Sequence, residues 1–128
     1  MQFYNGKERY DIGTSAISNW ELLDNAKYDD LWVHLANSPS CYVICKWDNT
    51  TIFETKAKKK KHIIKRVKEA GRICWVRSQH KINNKSNDTD TNTDIDVIYI
   101  ECKYVKKGNA IGQAELTKEP KLLTIQTK

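Results

Sequence analysis

From Ile17 onward the chain takes up a helical spacing of apolar positions. Trp20, Leu23, Leu31 and Leu35 fall close to one face, with Trp32 beside it, while Asp24, Lys27, Asp29 and Asp30 populate the other. Ser18 followed three residues later by Glu21 has the form of a capping box, which predicts a helix start there. The polar stretch Asn25–Asp30 divides the pattern into two short helices, and Asn37-Ser38-Pro39-Ser40 ends it. Residues 1–16, interrupted by Gly6 and Gly13, show no regular period.

Alternation then replaces the helical period. Cys41–Trp47 predicts a strand, Asp48-Asn49 a two-residue turn, and Thr50–Thr55 a returning strand. A basic amphipathic helix is expected from about Lys59 to Ala70, with Gly71 placed to end it in the left-handed conformation. Arg72–Ser78 follows as a strand, and residues 79–96 as a long polar loop. Asp96–Val105 is the clearest strand: Ile98, Ile100, Cys102 and Tyr104 face one way, Val97, Tyr99, Glu101 and Lys103 the other. Gly108–Pro120 is weakly patterned, with a short helical turn at Ala110–Leu116, and Leu122–Ile125 is a final strand. The expectation is a single small α+β domain over residues 1–128, with a mostly antiparallel sheet of four to five strands and two helical segments.

A length of 128 residues and an apolar share of 39% support one core, despite a mean hydropathy of −0.71. The first residues contain no hydrophobic signal core, and no run approaches the roughly 20 apolar residues of a membrane span. These features point to a cytoplasmic protein with no membrane partner. The four cysteines suit reduced thiols in that compartment. Cys41 and Cys45, four residues apart on a predicted strand, are separated by roughly 13 Å and can neither bond nor chelate together. They read as buried small hydrophobes.

Charge changes this plain picture at one place. The segment Lys56–Lys68 carries eight positive charges in a chain of net charge +6, so the remainder is at −2. Such a concentrated patch attracts polyanions through phosphate neutralisation and counterion release. The candidate contacts are Lys56, Lys58, Lys59, Lys60, Lys61, Lys65, Arg66 and Lys68. The bland alternative is an amphipathic core helix, with Ile63, Ile64, Val67 and Ala70 inward and its lysines solvated. Against that, Lys58–Lys61 crowd a helix start, where each positive charge costs roughly 0.3–1 kcal/mol. A locally unfavourable cluster of this kind is expected at functional sites. Trp47, Trp75 and Tyr99, all read as strand residues, would add stacking surfaces if exposed and core if buried.

A second constellation is Ile98-Tyr99-Ile100-Glu101-Cys102-Lys103-Tyr104. It resembles the third motif of the PD-(D/E)XK nuclease superfamily, in which a strand carries a Glu and a Lys two residues apart on one face. The resemblance implies that Glu101 helps to hold Mg²⁺ and that Lys103 polarises the attacking water or the phosphate. The family also places an Asp on the preceding strand. Arg72–Ser78 has no carboxylate, Asp94 and Asp96 lie on or beside the same strand as Glu101, and Asp88 and Asp90 sit in the polar loop.

Asp88-x-Asp90-x-Asn92-x-Asp94-x-Asp96 is similar to the opening of a calcium loop. The Gly and Glu that an EF-hand requires at its sixth and twelfth positions are replaced by Thr93 and Tyr99. His34, His62 and His80 have no metal-like spacing, and no phosphate-loop, dinucleotide or nucleophile-elbow motif occurs. The sequence therefore points to a non-enzymatic binding protein of phage or mobile-element type. It would engage nucleic acid or a nucleoprotein complex through the basic helix, as a regulator or inhibitor of a host nucleic-acid machine, without a cofactor. The alternatives are a Mg²⁺-dependent nuclease using Glu101 and Lys103, and an inhibitor that meets a host protein through the Asp24–Asp30 face or the 83–96 loop.

Overall fold

The computed structural model describes residues 1–36, 40–47, 54–82 and 94–126, with only the helical backbone at 79–82. The chain runs through β1 (Gln2–Asn5), β2 (Glu8–Ile12), α1 (Ala16–Asn25), β3 (Leu31–Leu35), β4 (Val43–Lys46) and α2 (Lys56–Ile82). It continues through β5 (Asp94–Glu101), a 3-10 turn (Cys102–Tyr104), β6 (Val105–Lys107), β7 (Ala114–Leu116) and β8 (Lys121–Gln126). Six strands form one sheet in the order β1-β2-β4-β3-β5-β8, and β6 and β7 form a separate pair. Every pairing is antiparallel. The α+β class is as expected; the strands are more numerous than the four to five anticipated.

Both faces of the large sheet are covered. On one, α2 packs its Val67, Ala70 and Cys74 against Tyr10, Val33, Val43, Cys45 and Val97 from four different strands. On the other, α1 and the β6–β7 pair lie over Trp32, Tyr42, Ile44, Ile100 and Cys102. The alternation along β5 holds, with Val97 in the first cluster and Ile100 in the second. Among the described residues no helix is long and apolar enough to cross a membrane.

The central strand β3 corrects the helical reading of Leu31 and Leu35. Leu31, Val33 and Leu35 enter the α2-side core, while Trp32 enters the opposite one. A strand buried on both faces loses its polar alternation, and five apolar-rich residues then match a helical template equally well. The cap of α1 is likewise three residues earlier than expected. Ser15 accepts from Ser18 N at 3.1 Å, and the Ser18 hydroxyl accepts from Ser15 N at 2.9 Å. Ser18 thus fills the role that Glu or Gln usually has in the box.

Gly71 does not end α2. The buried stripe Val67-Ala70-Cys74 runs straight past it, and Arg72–Ser78 is helix rather than strand. A Cβ at Gly71 would lie 2.6 Å from Ile125 Cδ1 and 3.0 Å from Val97 Cγ1. Glycine is there because the helix backbone rides directly on β5 and β8. Ala110–Leu116 is not a helical turn: it ends in β7. The expected 79–96 loop begins as helix, to Ile82, and closes as strand, from Asp94. Residues 83–93, with most of the calcium-like pattern, lie outside the described residues. The Asp48-Asn49 turn and residues 50–53 of the expected returning strand do so too. β4 is paired on both edges, by β2 and β3.

None of the four cysteines forms a disulfide, and Cys45, Cys74 and Cys102 are buried. Burial pushes the Cys45 and Cys102 thiols up to about 12. Cys74, held by Cys41 and by burial, is raised as well. Such thiols are poor nucleophiles at neutral pH. Titration of the native protein with an aromatic disulfide should show at most one fast thiol, the half-buried Cys41, and four in denaturant. A second prediction concerns Gly71→Ala. Helix propensity alone would favour alanine by about 1 kcal/mol, but overpacking against Val97 and Ile125 costs about 1–3 kcal/mol. The melting temperature should fall; a rise would show that the helix can lift off the sheet freely.

Candidate functional site

The two elements with the most unusual chemistry, the basic run and the segment around Glu101, meet at one end of the sheet. Antiparallel register places them there. Leu31 pairs with Glu101, and Tyr99 with Lys121, so the start of β3, the end of β5 and the start of β8 share a corner. The N-terminal half of α2 passes over that corner. Between them lies a cleft of about 750 Å³, within the size range of small-ligand sites.

The lysine run divides between two stripes of α2. Lys56, Lys59 and Lys60 line the cleft together with Ile63 and Ile64, the i, i+3, i+4, i+7, i+8 set of one helix face. Lys58, Lys61, Lys65 and Lys68 are exposed but do not line it. The helix start itself is built conventionally: Lys58 N donates to Thr55 Oγ1 at 3.1 Å. No acidic residue lies in the first turn, and Glu54 offsets the charge only by pairing with Lys58.

Arg66, expected among the surface cations, is buried with 2% exposure. Its Nε donates to the Tyr10 hydroxyl at 3.0 Å and its Nη2 to Arg9 O at 2.8 Å, while Glu8 lies 3.8 Å away. Its guanidinium stands over the Tyr10 and Trp47 rings, at 4.5 and 5.1 Å from their centroids. Burial pushes the Tyr10 phenol up to about 12. Arg66 is therefore an internal docking residue of α2, and the surface patch loses one of its eight expected charges. Beside it, burial lowers the pKa of His62, 3.5 Å from Glu8.

The opposite wall is the turn Lys27-Tyr28-Asp29-Asp30, part of the expected acidic face. Asp30 has no exposed surface. Its carboxylate pairs with Lys46 Nζ at 2.7 Å and accepts from Lys27 N at 2.8 Å and Trp47 N at 3.2 Å. The Asp30 carbonyl accepts from Cys102 N at 2.8 Å, and that of Tyr28 from Lys103 N at 3.3 Å. Trp47 Nε1 donates to the Asp29 carbonyl. Asp24 is bound to Lys107 at 2.8 Å. Asp30 thus pins the turn from within, while Asp24 and Asp29 remain exposed. Tyr28 stands at its tip with 77% exposure, at the edge of the cleft.

Further cleft residues carry no linear signal. Lys118 and Lys121 reach it from the approach to β8, and Tyr104 from the 3-10 turn, with Lys118 Nζ 4.8 Å from the Tyr104 ring. Of the three aromatics weighed for stacking, Trp47 and Tyr99 line the cleft. Trp75 lies on α2 and packs against the main core.

Glu101 also lines the cleft; Lys103 does not. β5 ends at Glu101 and Lys103 lies in the 3-10 turn, so the two no longer occupy one strand face as the nuclease motif requires. Their side chains are 3.8 Å apart and both exposed. Among the described residues no three His, Cys, Asp or Glu side chains cluster as a metal site would need. The described residues assemble no Mg²⁺ centre around Glu101, and Asp88 and Asp90 lie outside them.

The chain matches no family model and no curated protein sequence. Among solved structures it is similar to the C-terminal part of the fibronectin/fibrinogen-binding protein from Streptococcus suis, at 22% identity and a TM-score of 0.61. The match covers 93% of this chain and 41% of that one, so the chain spans about two-fifths of that structure. The likeness establishes a shared fold.

The turn around Asp30 supplies a direct test of the site's framework. Removing one partner of a buried ion pair costs about 3–5 kcal/mol. Asp30→Ala should lose that much in urea unfolding; a loss below about 1 kcal/mol would show that Lys46 and the two amides find other acceptors.

Proposed function

We propose that the chain is a non-enzymatic nucleic-acid-binding protein of the cytoplasm, acting on nucleic acid or a nucleoprotein complex as a regulator or inhibitor. One observation carries this reading. Lys56, Lys59 and Lys60 from α2 converge with Lys118 and Lys121 from a distant segment on one cleft that also presents Tyr28, Trp47 and Tyr99. Cations from separate elements repel one another. Six lysines outnumber the four carboxylates Asp29, Asp30, Glu101 and Glu119 in the lining, and a net positive concave surface with aromatic walls suits phosphates and stacked bases. The lysine-rich composition favours backbone contact over bidentate base reading. Cysteines outside any disulfide are compatible with a reducing compartment.

The stripes of α2 make the reading testable with charge-matched variants. Replacing Lys56, Lys59 and Lys60 by Gln should weaken binding to labelled RNA and DNA and flatten the salt dependence by about 2–3 units of log–log slope. The same change at Lys58, Lys61 and Lys65 should have a smaller effect. Both triple variants should melt no lower than wild type, because lysines near a helix N-terminus are unfavourable there. Unchanged affinity and slope in the cleft variant would end this reading.

A further inference from the structure

The aromatic at the cleft edge goes beyond general polyanion binding. Tyr28 is 77% exposed, yet the turn that carries it is held on every side. Lys27 N is bound to Asp30 Oδ2 at 2.8 Å, Asp30 N to Lys27 O at 3.0 Å, and Lys103 N to Tyr28 O at 3.3 Å. Trp47 Nε1 holds Asp29 O. Exposed tyrosines on loose loops lose entropy when they bind; this one is pre-positioned, so its face is presented at little further ordering cost. Beside it the cleft offers Lys56, Lys59 and Lys60, which with Lys27, Lys118 and Lys121 outnumber its carboxylates Asp29, Asp30, Glu101 and Glu119.

We infer that Tyr28 is a base-stacking platform and that the cleft takes an unpaired segment of nucleic acid, one base on Tyr28 with its flanking phosphates on the α2 lysines. This rests on the reading given under Proposed function and deepens it. Inside a duplex both faces of each base are occupied by neighbouring bases, so an aromatic platform is useful only to a strand whose bases are splayed out. A cleft of about 750 Å³ holds a ligand of small-molecule dimensions, which suits one or two nucleotides of a strand running on beyond it. Lys58, Lys61, Lys65 and Lys68, outside the cleft, are left to attract the rest of the backbone.

The test compares three probes of equal length on the full chain: an unpaired RNA or DNA strand, the same strand with abasic sites in place of its bases, and the matching duplex. Wild type should bind the unpaired strand tightest. Tyr28→Ala should weaken that binding roughly five- to hundredfold, leave the abasic strand and duplex unchanged, and melt as wild type does. Tyr28→Phe should retain the preference, since the ring and not the hydroxyl stacks. Equal wild-type affinity for base-bearing and abasic strands would overturn the inference, as would a Tyr28→Ala loss that is the same on duplex. If Tyr28→Ala changes nothing while the cleft lysine variant loses affinity for all three, the stacking inference falls and nucleic-acid binding stands. If none of the three binds at low salt, both fall.

Discussion

The site depends on a carboxylate with no access to water. Asp30 carries its charge inside the protein, where the effective desolvation penalty is several kcal/mol per ion. It is tolerated because Lys46 Nζ and the amides of Lys27 and Trp47 surround it. These partners come from the turn before β3 and from the end of β4, and the carbonyl of the same residue holds the turn after β5. One residue therefore locks three chain segments into a corner. The exposed groups on that corner, Tyr28 above all, inherit its rigidity.

The facing wall is set by a second buried charge. Arg66 enters the core beneath α2 and is held by Tyr10, the Arg9 carbonyl and Glu8. An apolar stripe alone fixes a helix's rotation only loosely, because methyl groups slide; directional bonds from a guanidinium do not. With Arg66 turned inward, the 3.6-residue period sends Lys56, Lys59 and Lys60 to the cleft and Lys58, Lys61 and Lys65 away from it. The two buried charges meet at Trp47, whose amide binds Asp30 while its ring lies against Arg66. The cleft is thus held open between two polar anchors rather than by apolar packing alone.

Much of this was legible in the residues, and the failures have physical causes. The α+β class, the alternation of β5, the final strand and the amphipathic basic helix all follow from periodicity. β3 did not, because a strand buried on both faces has no polar alternation to show. Gly71 misled because glycine serves equally to end a helix or to let its backbone touch a sheet, and only the position of Val97 and Ile125 decides between them. Arg66 read as one more surface cation in a run of them; nothing local distinguishes the residue that turns inward. The lysine run was visible at once, whereas Lys118, Lys121 and Tyr28 join it through strand register, which a linear sequence does not display.

What the structure adds to the lysine run is a reason for its position. A helix that needed only a solvated outer face would be better served by Glu or Asp in its first turn, which the dipole favours. Here the first turn has no acidic residue, and the approach to β8 brings two more lysines towards the same cleft. Of the carboxylates lining the cleft, Asp30 is buried against Lys46, Glu101 lies beside Lys103, and Asp29 and Glu119 are exposed among lysines that outnumber them. The like-charge repulsion that remains opposes folding. A bound polyanion reverses the sign of that term, since each phosphate placed among these lysines both removes repulsion and releases condensed counterions. Binding and stability are then linked through the same residues, because a ligand that binds only the folded chain adds to its stability. The charge arrangement that weakens the free protein is the one that a phosphate backbone would make favourable.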